Sequence, residues 1–327
     1  MRILSFILLT VSFQLFSSEN HNINNNYEIE EVVAIGIRPG PELWKVSNGE
    51  NELWILGTLS PLPKKMIWHT QLVEEVIKDS QALLLPPAVT AKIGFFQSLS
   101  LATSAIGIKK NPKKQKLIDV LPADLYARWL VLKEKYIGRD RGIEKTRPIF
   151  ASQELFEKAI KKIGLKSETG IRKKVRKIAK KNKLELIKPL IILDLNKPKA
   201  AMKRFKKSEL SDLECFTKTI ERIETDLQAM RLRAFAWAYG DITKIKNLPY
   251  PDDDKACIGV ILNSDIAQDV GMKDIQSRVR AIWIDEAKKA LTNNKSTFAL
   301  LPIRNLLAKN NYLNDLAAEG YIITVPK

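Results

Sequence analysis

The chain has 327 residues, 45% of them hydrophobic and 28% charged, enough apolar material for one large core or two modest ones and too much for a disordered or fibrous protein. Its 54 lysines and arginines against 37 acidic residues give a formal charge of +17, concentrated in a few runs. With only two histidines, His21 and His69, the sequence cannot supply the several imidazoles of a typical zinc or di-metal hydrolase.

The N-terminus reads MRILSFILLTVSFQLFSSEN: one basic residue, an apolar run over 3–16, then Ser17 and Ser18. That is the layout of a cleavable signal peptide over 1–18. The run is shorter than the roughly 20 apolar residues of a spanning helix. No cysteine follows it to carry a lipid, and nothing downstream is long and apolar enough to cross a bilayer. The mature chain is expected to be periplasmic or secreted, with a polar, Asn-rich leader over 19–38 and a folded domain over 39–327. In such a compartment Cys215 and Cys257, with no other cysteine to compete, are expected to form a structural disulfide.

The domain opens on a predicted hairpin, 43–46 and 52–57, turning at Asn48 and Gly49. Leu72, Val73, Val76 and Ile77 predict a helix over 70–80, and a short apolar strand over 82–85 ends at Pro86 and Pro87. From about 92 to 240 the pattern is mostly helical. One helix starts at Pro122, with Leu125, Trp129, Leu132 and Tyr136 on one face, and stops near Gly138; another spans 152–163 before Gly164. A basic helix follows over 172–183, then a strand over 188–193.

The longest periodic segment, 208–239, places Leu213, Phe216, Ile220, Ile223, Leu227, Met230, Ala234 and Trp237 three and four apart, and reads as one helix packed on its own domain. Asp241, after Gly240, is expected to cap the next helix, and 247–254 to return the chain by a loop. The C-terminus repeats the opening unit: an apolar strand over 297–301, a loop, a helix over 312–319, a stop at Gly320, and YIITVP as a final strand. Two such units predict an α/β fold in which both ends feed one mixed sheet, with their loops at the same edge and a large helical middle section.

Three basic runs carry the excess charge: KKNPKKQK at 109–116, RKKVRKIAKKNK at 172–183 and KRFKK at 203–207. In the second, Ile171, Val175, Ile178 and Ala179 share a face, and the cations cover the rest. Lys173, Lys174, Lys177 and Lys181 suit adhesion to lipid head groups or acidic polysaccharide; a solvated outer face is the plainer alternative. No aromatic residues interleave with these lysines, which argues against nucleic acid.

No nucleophile elbow, phosphate loop or dinucleotide fingerprint is present, and no cofactor is expected. His69 reads as a capping or surface residue, and Asp252, Asp253 and Asp254 as complements to a helix N-terminus. The stretch LWKVSNGENELWILGTLSPLP, the helix to Ser80 and the strand ending at Leu85 resemble the opening of the TraB/PrgY/GumN family, which includes the TIKI-type metalloproteases. Residues 298–325 resemble its closing segment, and FTKTIERIETDL with AWAYGDI resembles its central helix and Gly-Asp turn.

The resemblance implies a G-x-x-H element in each end unit and a glutamate after the first unit's last strand, together binding metal for hydrolysis. Here the first element is Gly57, Thr58, Leu59 and Ser60, and the glutamate position falls at Pro86 or Pro87. The second element falls on Pro302, Ile303, Arg304 and Asn305; a family arginine falls near Arg278. Serine, proline and asparagine do not replace imidazole and carboxylate as ligands, so the expectation is a metal-free, non-catalytic member that binds an unknown ligand or envelope partner. The alternative is a hydrolase using Ser60 as nucleophile, with His69, Lys64 or Lys65 as base.

Overall fold

The computed structural model describes residues 40–92, 105–167, 170–194, 198–208, 210–248, 253–262, 267 and 271–326. The expected signal peptide and leader, His21 and Asp252 lie outside the described residues.

In chain order the first elements are β1 (Leu43–Ser47), β2 (Glu52–Thr58), β3 (Leu62–Pro63), α1 (Gln71–Asp79), β4 (Ala82–Leu84) and β5 (Ala88–Lys92). There follow α2 (Leu117–Val120), α3 (Ala123–Tyr136), α4 (Pro148–Lys162), β6 (Leu165–Lys166), α5 (Ile171–Lys181), β7 (Glu185–Ile187) and β8 (Leu190–Asp194). The helices α6 (Pro198–Lys207), α7 (Leu213–Thr225), α8 (Leu227–Ala238), α9 (Ile242–Asn247), α10 (Asp253–Leu262) and α11 (Ile275–Asn293) come next. The chain closes with β9 (Ser296–Pro302), α12 (Ile303–Leu307), α13 (Tyr312–Ala318) and β10 (Ile322–Thr324).

The protein has a mixed α/β fold around a six-stranded sheet of order β10-β1-β2-β9-β4-β7. β1 and β2 form the expected antiparallel hairpin, Leu43 opposite Leu56 through Ser47 opposite Glu52, with Gly49 at φ 94° in the turn. β9 runs parallel to β2 from Glu52↔Ser296 to Thr58↔Pro302, and β4 and β7 continue the parallel set. Both end units therefore feed one sheet. β4 and β9 are apolar along almost their whole length because helices cover both faces, as parallel strands require. The core on this sheet includes Leu53, Ile55, Leu83, Phe298 and Leu300 with Trp237 of α8 and Trp283 of α11, all at most 1% exposed.

A second core lies within the helical middle, where Trp129 of α3, Leu155 of α4, Phe216 and Ile220 of α7 and Met230 of α8 pack together. This second centre explains why the segment expected as one long helix over 208–239 is two. Phe216, Ile220, Ile223 and Met230 belong to the helical core, whereas Ala234 and Trp237 belong to the sheet core. The chain breaks at Asp226, 1% exposed, between α7 and α8, so that one apolar seam serves two differently placed cores. Leu213, the first residue assigned to the seam, is 42% exposed.

The strand expected over 188–193 is β8, and a short strand not foreseen, β7, precedes it. β7 completes the main sheet on β4, while β8 pairs with β5 in a separate two-stranded sheet, and Pro189 stands between them. Proline offers no ladder donor and fixes its own φ, so a break there is the natural outcome. α4 starts at Pro148, earlier than the expected 152. Pro148 occupies the first turn, and the buried Asp212 carboxylate accepts the Ile149 N–H at 2.9 Å, supplying a cap from a distant part of the chain.

Among the described residues no helix is long and apolar enough to cross a membrane. Cys215 of α7 and Cys257 of α10 are joined by a disulfide, their Cα atoms 4.6 Å apart.

Candidate functional site: a cationic cavity at the ends of the parallel strands

Gly57 lies one residue before the end of β2, and its role is packing. A Cβ there would sit 2.9 Å from both Ile303 Cγ1 and Trp44 Cζ3, so only hydrogen fits. Its carbonyl accepts the Trp237 indole N–H at 2.6 Å, tying β2 to α8. Gly57→Ala forces both neighbours to move and is expected to cost about 1–3 kcal/mol, read as a lowered urea midpoint with unchanged m. Next along the strand, the Thr58 hydroxyl donates to the Leu301 carbonyl at 3.2 Å, holding the ends of β2 and β9 together.

Beyond these ends the chain turns through Ser60, whose hydroxyl donates to the Ser167 carbonyl at 2.5 Å. The antiparallel pairing of β3 with β6 brings those two residues together. Ser167 in turn donates through its own hydroxyl to Glu157 Oε1 at 2.7 Å, and Gln153 Nε2 reaches the same oxygen at 3.3 Å. The turn after β2 is thereby laced to α4.

A cavity of about 350 Å³ opens here, at the carboxyl ends of parallel strands, where open α/β sheets place their ligands. Thr58, Ser60, Pro302 and Arg304 form the side contributed by the sheet, and Gln153, Phe156 and Glu157 of α4 the side opposite. Arg172 of α5, Arg222 and Thr219 of α7 and the disulfide residue Cys257 also line it. The Arg222 guanidinium carbon lies 4.8 Å from the centre of the Phe156 ring, and its Nε is 3.8 Å from Asp226 Oδ2. Three guanidinium groups against one carboxylate make the lining cationic.

Of the positions singled out in the sequence, Ser60 and Pro302 line the cavity, and Gly57 stands behind it in the strand. Asn305 does not line it; the residue before it, Arg304, does. Pro86 and Pro87 lie between β4 and β5, outside the lining, so of the positions matched to the family's metal-binding elements Ser60 meets Pro302 and arginines there, but neither Pro86, Pro87 nor Asn305. Arg278 is exposed on α11 and donates to the Gly271 carbonyl at 2.8 Å. His69, Lys64 and Lys65 are exposed and line no part of the cavity, so none of them stands beside Ser60 as a base. Asp241 caps α9, accepting the Lys244 N–H at 2.7 Å.

The donor set does not fit a transition metal. Hydroxyls, an amide and one carboxylate are weak ligands together, and three adjacent guanidinium groups repel a dication. Among the described residues no three histidine, cysteine, aspartate or glutamate side chains converge as a metal site.

The model of the TraB/PrgY/gumN family matches residues 42–325, nearly the whole described domain. The chain belongs to the TraB/PrgY/gumN family. No curated protein and no solved structure matches it. The family match runs from β1 to the end of β10, through both end units and the helical middle, so the cavity is built entirely from family-matched segments. What sequence reasoning missed in this TraB/PrgY/gumN chain was the arginine set. Arg172, Arg222 and Arg304 are 132 residues apart at the extremes and meet only through the tertiary fold. The only local signal was that no acidic residue shares a helical turn with Arg172 or Arg304.

Proposed function

We propose that this TraB/PrgY/gumN protein is an exported, non-catalytic member of its family that binds a small ligand, or a group presented by an envelope partner, in the cavity at the ends of β2 and β9. On this reading residues 1–18 are a cleaved signal peptide, 19–38 a leader and 39–327 one domain whose 92–240 section is the mostly helical insert. The mature protein then works in the periplasm or outside the cell. The observation that carries the proposal is the lining of the cavity beside Ser60, three arginines with hydroxyls and a single carboxylate. Guanidinium groups bind carboxylate and phosphate oxygens in paired geometry, so the ligand is expected to carry one of these. The disulfide supports an oxidising compartment. The Ser60 hydroxyl supports a binding role over a nucleophilic one, since its proton goes to a backbone carbonyl that cannot act as a base.

The test is elemental analysis of the mature protein after gentle purification, with a peptide-library assay in added manganese, cobalt or zinc. Expected are far less than one metal per chain and no chelator-sensitive turnover. Native mass spectrometry of the same preparation is expected to show a retained small anion that Arg304→Ala loses. One metal per chain, or turnover that Ser60→Ala abolishes, would overturn the reading.

A further inference from the structure

On the sheet's β7 edge, α5 and the residues around β7 enclose a groove of about 670 Å³. Its lining is Arg172, Lys173, Arg176, Lys177, Lys180 and Lys183, with Leu184 and Leu186 as the apolar floor. All six polar members are cations, and none of them makes a hydrogen bond or ion pair through its side chain among the described residues. α5 itself has seven basic residues in eleven and no acidic one. Strand alternation turns Glu185 of β7, which lies between Leu184 and Leu186, toward the other face. The groove thus holds six adjacent like charges with nothing of its own to neutralise them.

The arrangement is linear. Arg172, Arg176 and Lys180 follow one another at about 6 Å of rise along the helix, and Lys173 and Lys177 repeat that step beside them. Two of the lysines first singled out fall elsewhere: Lys174 lies over the Trp68 ring, 5.0 Å from its centre, and Lys181 is outside the lining.

We infer that this groove docks a linear acidic polysaccharide, one carboxylated sugar to each helical step of cations. A lipid surface is disfavoured because the apolar face of α5 is already spent: Ile171, Val175 and Ala179 are at most 2% exposed, packed in the sheet core, and cannot enter a bilayer. The binding surface is also concave where a membrane is flat. Nucleic acid is disfavoured because, among the described residues, no aromatic side chain lines the groove for bases to stack on. Pyranose rings need no stacking partner of that kind, and their apolar faces suit the floor of Leu184 and Leu186. The inference does not depend on what the strand-end cavity binds.

The experiment is fluorescence anisotropy of a fluorescein-labelled oligogalacturonate with the disulfide-intact mature protein in 50 mM salt. The triple variant Arg176→Gln, Lys177→Gln, Lys180→Gln is expected to bind at least about tenfold more weakly, because each cation replaced gives up its attraction to a carboxylate of the polymer. A control triple, Lys244→Gln, Lys246→Gln, Lys309→Gln, removes the same charge at exposed sites outside the lining and is expected to stay within about twofold, since exposed charges that make no contact with the polymer are weakened by salt screening. Equal weakening of the two variants would reduce the effect to net charge and overturn the inference. So would tighter binding of phosphatidylglycerol vesicles, or of a single-stranded oligonucleotide of matched charge, than of the sugar polymer. Circular dichroism on both variants separates lost binding from lost folding.

Discussion

Arg233→Ala is expected to lower the unfolding free energy by about 3–5 kcal/mol, because it leaves a carboxylate buried without its partner. Arg233 and Asp226 have side chains only 3% and 1% exposed and meet in a two-bond pair, Nη1 to Oδ1 at 2.8 Å and Nη2 to Oδ2 at 2.5 Å. The pair stands at the break between α7 and α8, so it fixes the angle at which one seam turns from the helical core to the sheet core. Burial raises the Asp226 carboxyl above its ordinary value of 3.8, and the attraction of Arg233, then Arg222, only partly offsets this.

A raised carboxyl means that, above the unfolded value, the native chain holds a proton the unfolded chain has released. The stability from this group therefore falls as pH rises through that window and returns as pH falls. Removing Arg233 raises the native value further, so the variant's deficit is expected to be greatest at neutral pH and to shrink on acidification to pH 5. Urea titrations at the two pH values check it, and a deficit independent of pH would mean that lost packing, not stranded charge, is the cause. The double variant Asp226→Leu, Arg233→Met is expected to recover most of the loss, since a buried pair is commonly replaceable by apolar volume.

The sheet was legible in the sequence because its strands are short apolar runs bounded by strong punctuation. Asn48-Gly49 marks the hairpin, Pro86-Pro87 the end of β4, and Gly320 the start of the last strand. The repeat of one unit at both ends then implied one sheet. The errors came where a single local pattern serves two tertiary surroundings. The seam over 208–239 keeps its three-four spacing across Asp226, and nothing in that spacing says that the two halves face different cores. The strand expected over 188–193 is β8, whereas β7, three residues just before it that complete the main sheet, was too short to stand out.

The candidate site was legible only by its losses. Ser60 and Pro302 stand where the family resemblance implies parts of the metal-binding elements, and a sequence shows at once that imidazole is missing there. The arginines beside Ser60 were hidden, because Arg222 comes from the last turn of a helix whose surface pattern is ordinary and Arg172 from a helix with seven cations in which no one stands out. The basic helix shows the same limit from the other side. Periodicity gave its buried face, but only the fold separates Lys173 and Lys177, which line the groove, from Lys174, which lies over Trp68.

Opening the Cys215–Cys257 disulfide is expected to cost about 4 kcal/mol on the chain-entropy model. The two cysteines are 42 residues apart in sequence, so the bond closes a loop containing all of α8 and α9, and that closure restricts the unfolded chain far more than the folded one. In the native state Cys215 is buried on α7, and Thr219, one turn on, hydrogen-bonds its carbonyl at 2.8 Å. α7 is held in place without the disulfide by Phe216, Ile220 and Ile223 in the helical core. Cys215→Ser with Cys257→Ser should therefore fold with the same near-ultraviolet spectrum but unfold at a much lower urea concentration, with a larger m because the uncrosslinked chain exposes more surface. Cys257 also lines the strand-end cavity, so the variant should hold the anion proposed for that cavity less tightly at temperatures well below its own midpoint. Thiol labelling of the unfolded, unreduced wild-type protein supplies the control: two reactive thiols would show that the bond does not form in the purified protein, and a midpoint unchanged by the double serine variant would show that closing this loop contributes nothing.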